Sequence, residues 1–592
     1  MQLVQYRVVL GVFTLLLTTS LAARSAEPAT SPKSEETGGE TVFGFNFHFD
    51  FPDFGPSAIG VTRQGTVMEA ASIHAPYEDP RPRIVFIFQQ MDEKEIEAFI
   101  EPIMDDKSIL WGAVVLNPDG KRGSQQNGSG GDPSRGYPPV AGYYDDPKTP
   151  ESRYLWRWLG IHAPDLVVEV VPGKGESWYA PKSDLPQLAE LASHLPDVKP
   201  LAESDELVPQ LVKAAPCNTG PIPALRVVTD GNKYVTRILQ AVAKSKLPRS
   251  PAHIEILNRL NRTPEQIAEQ MLEVYGKQLS AVQYIPALAL VGRLRHERHT
   301  QGAEVAISPI VLKAVEPFVS GTKPALDAKT SGSTFSGHLI FAELAERTGD
   351  PKYTALVKAV GDRAFDPSGK PLPSMPSHSE MSDAVFMAGP ILAYAGKLTG
   401  DAKYYDASVR NMKFMQKLCL RNDGIYRHSP LDEAAWGRGN GFPALGLTWT
   451  LDALPESYAG RSEVAAALEK HLRALLEHQD PSGMWHQVID KRESYAEFTA
   501  TAMIAYAMTR GVRQGRLDAK TFAKPIEKAW YALRTRIAAD GTLVDVCTGT
   551  GKQKSLRDYY DRPAILGRDD RGGAMALMIA TEMERYLAEQ RK

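Results

Sequence analysis

Two stretches of the chain, LAERTGDPKYTALVKAV and YAGKLTGDAKYYDASVRN, share the core Thr-Gly-Asp-x-Lys-Tyr, with Thr348 and Thr399 placed 51 residues apart. In each, a glycine ends one helical pattern and an aspartate opens the next, the residue types that suit a helix C-terminus and an N-cap. A unit of about 50 residues is two helices and two turns at a rise of 1.5 Å per residue. From Ile254 to Lys592 the pattern is helix after helix, room for six such hairpins. Six hairpins closed on themselves make an (α/α)6 barrel whose inner helix ends surround a cleft. Strung out, they make an open solenoid, and the period is the same for both.

The residues before this differ in grammar. Between 42 and 225 short β-rich runs stand between Pro, Gly and Asp: RIVFIF (83–88), GAVVLN (112–117) and DLVVEVV (165–171). The amphipathic stretch EKEIEAFIEPIM separates the first two, and β-α-β order predicts a parallel or mixed sheet covered by helices. Residues 117–146 are rich in Gly, Pro, Asp and Ser and read as a long loop, where α/β proteins often place sites. The fold class expected is therefore multidomain: an N-terminal α/β domain (42–225), a connector (226–253) and an all-α (α/α)6 barrel (254–592).

The first 23 residues read as an export signal. VVLGVFTLLLTTSLA follows Arg7, and small residues at Ser20, Ala22 and Ala23 supply a cleavage site. Residues 24–41 then read as a Ser/Glu/Gly/Pro-rich linker. A secreted or periplasmic location follows, a retained anchor being the alternative, and no later stretch is apolar and long enough to span a membrane. Lys+Arg of 68 against Asp+Glu of 71 argues against nucleic acid as a partner. Three cysteines are too few for a disulfide framework and lack metal-ligand spacing, which leaves one disulfide or three buried thiols.

Chemistry concentrates in HSEMSDAVFMAGPILAYAGKLTGD. Asp383 stands immediately before an apolar helix pattern, either as an N-cap or as an acid at the rim of an apolar barrel, where burial would keep it protonated. In DEAAWGRGNGF, glycines 437, 439 and 441 flank Arg438 and Asn440. Glycines admit a close ligand and Arg438 offers a fork for a carboxylate, or the run is a turn capped by Asn440. Trp436 is a candidate sugar-stacking face, His428 lies in a loop, and Trp485 and His486 follow a turn in GMWHQVID. His296 and His299 in RLRHERH read as a solvated helix face.

Asp383 with Met387 and Pro390, then YRHSP, WGRGNGF, GMWHQVID, YAEFTATAM, VCTGTG and YYDRP together resemble the unsaturated rhamnogalacturonyl and glucuronyl hydrolases of glycoside hydrolase families 105 and 88. The resemblance covers about 340 residues and implies an (α/α)6 barrel. It also implies a glycosidase acting on lyase-generated unsaturated oligosaccharides, without metal or other cofactor. Asp383 becomes the general acid, protonating carbon 4 of a 4,5-unsaturated uronic acid. His428, Trp436, Arg438, Asn440 and His486 become substrate-binding residues. The family's earlier aspartate maps onto Ser333 or Thr334, a departure that Asp327 would fill only through a rearranged loop. A non-catalytic carbohydrate-binding protein on the same scaffold is the alternative, and the polysaccharide and oligomeric state stay open.

In the N-terminal part, NPDGKRGSQQNGSGGDPSRGYPP and YLWRWLGIHAPDLVVEVV resemble zinc carboxypeptidases and related deacylases. Arg122, Asn127 and Arg135 fall where such folds place substrate-binding polar groups. The His-x-x-Glu ligand pair is replaced by QQMDEKE (89–95) and the last ligand strand offers Glu169, so a metal-free domain is expected. A deacylase or peptidase activity there is the third reading.

Overall fold

The computed structural model describes residues 40–42, 45–47, 54–90, 95, 98–99, 102–103, 106–120, 124–140, 148–302, 304–327, 330–377 and 380–591. The expected signal segment and nearly all of the linker lie outside them, as does Arg122. So does most of the helix expected over 93–104, of which Glu95, Ala98 and Phe99 are helical.

A short hairpin, β1 (Glu40–Val42) and β2 (Phe45–Phe47), precedes an eight-stranded mixed sheet. Its strands are β3 (Phe54–Val61), β4 (Val67–Ile73), β5 (Arg83–Phe88), β6 (Leu110–Val115), β7 (Leu166–Pro172), β8 (Glu176–Pro181), β9 (Lys199–Leu201) and β10 (Ala224–Thr229), in the order β3-β4-β6-β5-β7-β10-β8-β9. The centre, β6-β5-β7-β10, is parallel, with Val85 opposite Gly112 and Val167. β5 and β6 are buried at every position, which is why they read as unbroken apolar runs rather than alternating ones. The helices among them are α1 (Pro150–His162), α2 (Pro186–Ser193), α3 (Leu207–Leu211) and α4 (Lys233–Ser245). The boundary expected at Leu225 is corrected. Leu225 lies inside the central strand β10, and α4 packs on α2, so the connector belongs to the sheet region.

The helical region begins with α5 (Pro251–Leu260) and α6 (Pro264–Val274). It continues through α7 (Tyr284–Gln301), α8 (Pro309–Val319), α9 (Gly332–Gly337), α10 (Leu339–Thr348), α11 (Pro351–Gly361) and α12 (Ala384–Thr399). Then come α13 (Lys403–Cys419), α14 (Gly437–Ala453), α15 (Arg461–Leu476), α16 (Phe498–Arg513), α17 (Ala519–Thr535), α18 (Leu556–Tyr560) and α19 (Asp570–Gln590), with a hairpin of β11 (Leu543–Cys547) and β12 (Ala564–Gly567) before α19. The sequence repeat falls on two equivalent turns. Gly349 and Gly400 end α10 and α12 at φ of 66° and 73°, and Asp350 and Asp401 then accept from the N–H of Lys352 and Lys403.

Packing sorts these helices into two sets. Helices α7, α10, α12, α14, α16 and α19 each touch the next in that order, and α19 packs back on α7. Helices α6, α11, α13, α15 and α17 each lie against one or two members of this set. The inner helices approach closely where side chains are missing. A Cβ on Gly446 of α14 would stand 2.7 Å from the Phe386 backbone of α12, and one on Gly292 of α7 would stand 2.9 Å from Leu577 of α19. All three cysteines are buried and free. No helix among the described residues is long and apolar enough to cross a membrane.

The solvated helix face expected around His296 is corrected as well. It lies on the inner helix α7, where Arg293, Arg295 and His296 are all buried. Arg293 donates to the carbonyls of Gly276 and Leu272, and His296 stands 3.2 Å from Glu584. A helix enclosed on all sides can carry such groups where carbonyls or opposite charges stand beside them.

Candidate active site

The inner helices run in one direction, because residues near their N-termini meet one another. Tyr284 at the start of α7 meets Phe386 in the first turn of α12 edge-on, and likewise Phe442 in the second turn of α14. Arg438, in the first turn of α14, donates to Thr499 Oγ1 at the start of α16. Asp383, Glu497 and Asp569 immediately precede α12, α16 and α19 at this end.

These three acids differ in what they do. Glu497 accepts from the N–H groups of Thr499, Ala500 and Cys547, and Asp569 accepts from those of Arg571 and Gly572. Both are spent on capping. Asp383 makes no side-chain cap bond, although it occupies the N-cap position and is 5% exposed. Its Oδ2 stands 3.1 Å from His428 Nε2, out of line for a hydrogen bond, and neither atom has another hydrogen-bond partner among the described residues. Trp436 Nε1, Arg438 Nε and Gln487 Oε1 are buried and unpartnered in the same way. Buried polar atoms nearly always find partners within a protein, so such a gathering at helix N-termini marks a place built for another molecule.

Local structure explains how these side chains converge. The Ser382 N–H donates to the His428 carbonyl and its hydroxyl to the Gly439 carbonyl, tying the starts of α12 and α14 to the loop that carries His428. His428 is fully buried, with Nδ1 2.9 Å from the Tyr559 hydroxyl and its ring 4.5 Å from that of Trp436. Tyr284 faces the cluster too; burial raises its hydroxyl pKa, and the positive charge of Arg438 offsets part of that rise.

Several expected roles change. The guanidinium of Arg438 does not present an open fork, since Nη1 and Nη2 donate to the carbonyls of Cys547 and Thr548 at 2.8 and 2.6 Å, leaving Nε. Trp436 does not offer a bare stacking face; it is 1% exposed, and Arg438 lies 4.6 Å over its ring. Asn440 is not available to a ligand. Its Oδ1 accepts from the Tyr426 N–H and its Nδ2 donates to the carbonyls of Tyr426 and Trp436. The ring of His486 is held by the Ser494 carbonyl and Asp480, and lines a cavity of about 610 Å3 between the sheet region and the helices. The close approaches expected of the glycine run are made to protein: a Cβ on Gly437 would stand 2.5 Å from the His486 carbonyl oxygen, and one on Gly441 3.0 Å from Met503. Ser333 and Thr334 begin α9, where Thr334 completes a capping box, and Asp327 is exposed.

Reading the sequence residue by residue missed Tyr284, Gln487 and Tyr559. Tyr559 and Gln487 lie inside the YYDRP and GMWHQVID motifs, whereas Tyr284 carries no signal of its own.

In the sheet region, Glu169 is buried between Gln89 at 3.4 Å and Arg226 at 2.6 Å, with Glu206 accepting from Arg226 in turn. Burial raises the Glu169 pKa against the pull of Arg226. The carboxylate and the glutamine where the zinc-enzyme resemblance puts metal ligands are thus engaged with one another. No group of three or more His, Cys, Asp or Glu placed to hold a metal is present among the described residues.

Residues 375–587 match the sequence model of Glycosyl Hydrolase Family 88. Over 191 residues the chain is 26% identical to the unsaturated rhamnogalacturonyl hydrolase YesR of Bacillus subtilis (strain 168), covering 31% of this chain and 53% of that protein. Over 181 residues it is 28% identical to an unsaturated 3S-rhamnoglycuronyl hydrolase of Formosa agariphila, covering 27% and 47%. The chain spans about half the length of these curated relatives. Among solved structures, a C. acetobutylicum ATCC 824 glycoside hydrolase from family 105 aligns with a TM-score of 0.48 and 21% identity, over 54% of this chain and 99% of that one. Asp383, His428, Trp436, Arg438, Gln487 and Tyr559 all lie within the residues that match the Glycosyl Hydrolase Family 88 model.

Proposed function

We propose that the protein is a glycoside hydrolase that releases a 4,5-unsaturated uronic acid from oligosaccharides, with Asp383 as general acid, on an (α/α)6 barrel. The observation that carries the reading is Asp383 itself: buried, at a helix start, and not used as a cap. Asp383 donates its proton to carbon 4 of the enol ether and water adds at carbon 5. The carboxylate recovers a proton from that water, and the hemiketal opens to release the neighbouring sugar. Such hydration needs one acid rather than two carboxylates flanking a glycosidic bond. The N-terminal ends of the inner helices favour a bound carboxylate, and Arg438 adds its charge. The cyclic order of the inner helices supports the barrel.

Unsaturated disaccharides from lyase digests test the reading, because hydration removes the ultraviolet absorbance of the conjugated enol-carboxylate. Steady loss of absorbance with wild-type protein is expected, and none over a panel of such substrates would end the proposal. The second reading, a saccharide-binding protein, is favoured by the absence of a carboxylate at Ser333 and Thr334. It requires calorimetric binding without turnover. We also propose export, on the composition of residues 1–23; cell fractionation and N-terminal sequencing test it.

A further inference from the structure

We infer that the sheet region is a working part of this site: its β3–β4 turn holds the segment carrying Tyr559, and Tyr559 sets the position and tautomer of His428 beside Asp383. The inference rests on the reading of Asp383 as the acid.

At the inner end, the Tyr559 hydroxyl meets two groups. The Gln553 N–H donates to it at 3.4 Å, and His428 Nδ1 stands 2.9 Å away. With Gln553 donating to the oxygen, the hydroxyl proton is assigned to Nδ1, the arrangement in which it too is paired. A neutral imidazole that accepts at Nδ1 carries its own proton on Nε2. Nε2 is the atom 3.1 Å from Asp383 Oδ2. One oxygen of the acid thus has an N–H group beside it, off the hydrogen-bonding line but of favourable sign, which leaves the other to bear the proton that substrate receives. Without Tyr559, His428 has no fixed tautomer and can present a lone pair to the acid instead.

At the outer end, Tyr559 sits on α18, a helix of five residues in the loop between β11 and β12. A helix so short has little stability of its own. It is clamped from outside the helical region. Arg557 donates Nη1 to the Thr62 carbonyl at 2.8 Å, across 495 residues of sequence. The same guanidinium holds Asp561 through Nε at 3.1 Å and Nη2 at 2.9 Å, and Arg63 donates to Asp561 at 2.8 Å. Thr62 closes the β3–β4 turn, its carbonyl accepting from Gly65 and its N–H donating to Thr66. The clamp thus grips residues on both sides of Tyr559.

Three variants test this: Tyr559→Phe, Arg557→Lys and the pair Arg63→Ala with Arg557→Ala. Tyr559→Phe is expected to lower kcat at least about tenfold with KM little changed, since it removes a hydrogen bond that touches no substrate. Arg557→Lys keeps the charge but not the two-pronged clamp and is expected to fall between wild type and the double variant. A second readout needs no turnover. With histidine labelled by nitrogen-15, His428 in the wild type should show its proton on Nε2, and Tyr559→Phe should show mixed tautomers. Unchanged kcat in Tyr559→Phe, or an Nε2–H form that survives the substitution, would overturn the inference. So would a clamp variant that lowers only the melting temperature. A wild type that turns over no unsaturated substrate, yet whose His428 loses its tautomer in Tyr559→Phe, would instead fault the assignment of the acid and leave the positioning in place.

Discussion

The two ends of the inner helices are both polar and buried, yet they are built on opposite rules. At the C-terminal end carboxylates sit between guanidinium groups, although His296 Nδ1 and Glu584 Oε2, 3.2 Å apart, form no hydrogen bond. Glu343 lies between Arg295 and Arg347, Asp452 between Arg510 and Arg516, and Glu582 between Arg510 and Arg513. Arg295 also donates to the Tyr506 hydroxyl and lies 4.2 Å over Trp449. Burial pushes the carboxyl pKa of Asp452 upward, and the guanidinium groups beside it outweigh that push, holding it below the ordinary value; the same balance holds for Glu582. At the N-terminal end, Asp383, His428, Trp436 and Arg438 each keep a polar atom without a hydrogen-bond partner. Buried polarity that is paired maintains a fold, whereas buried polarity left over is available to a ligand.

Substitutions at the two ends should therefore separate activity from stability. Asp383→Asn is expected to cost turnover at least the ~10²–10⁴-fold of general acid catalysis while the melting temperature holds, because the carboxylate caps nothing. Full activity in the variant, measured on unsaturated disaccharides, would erase the contrast. Asp452→Asn should do the reverse. Arg510 and Arg516 would lose their shared counter-charge, for a loss of about 3–5 kcal/mol in denaturant unfolding, with kcat per folded molecule unchanged.

A smaller effect comes from histidines held neutral by burial. The His338 pKa is lowered to about 4, and that of His162 lies well below the usual value, burial again leading, with Arg83 adding to it. An unfolded histidine binds a proton near pH 6.5, so the unfolded state binds more protons between the two values. This stability is present above about pH 6.5 and is lost as pH falls toward 4, up to roughly 3 kcal/mol for His338. Melting followed over that interval should show a shallower fall in His338→Gln than in wild type. The smallest effect expected is that of Asn440→Ala, about 1–3 kcal/mol of stability for unpairing the Tyr426 N–H and two carbonyls, without change in KM. A raised KM would return Asn440 to the ligand-binding set.

Much of the architecture was legible because it is written in local chemistry. The Thr-Gly-Asp repeat marks turns that recur from hairpin to hairpin, and RIVFIF names a fully buried strand. The site was legible in part. Asp383 and His428 were found, and the structure brings them within 3.1 Å. Arg438 and Asn440 look alike as candidates in a string of glycines, but the role of Arg438 depends on which carbonyls lie opposite, and Cys547 and Thr548 are more than 100 residues further along. Histidine 486 shares its loop with residues that reach the site, and only the direction of its ring separates it from them. Pairings fixed by folding over long distances leave no trace in local pattern.

The return of α19 onto α7 bears on how the protein is made. The two walls of that seam begin at Tyr284 and Asp570, so most of the helical region must leave the ribosome before the seam can form. Until then the surface of α7 around Gly292, shaped to receive Leu577, stays open to other chains and to chaperones. Synthesis of the final inner helix should therefore be the step at which a nascent chain stops being prone to aggregation. The same seam should be the slowest contact to form in refolding, since it closes the longest loop of the ring.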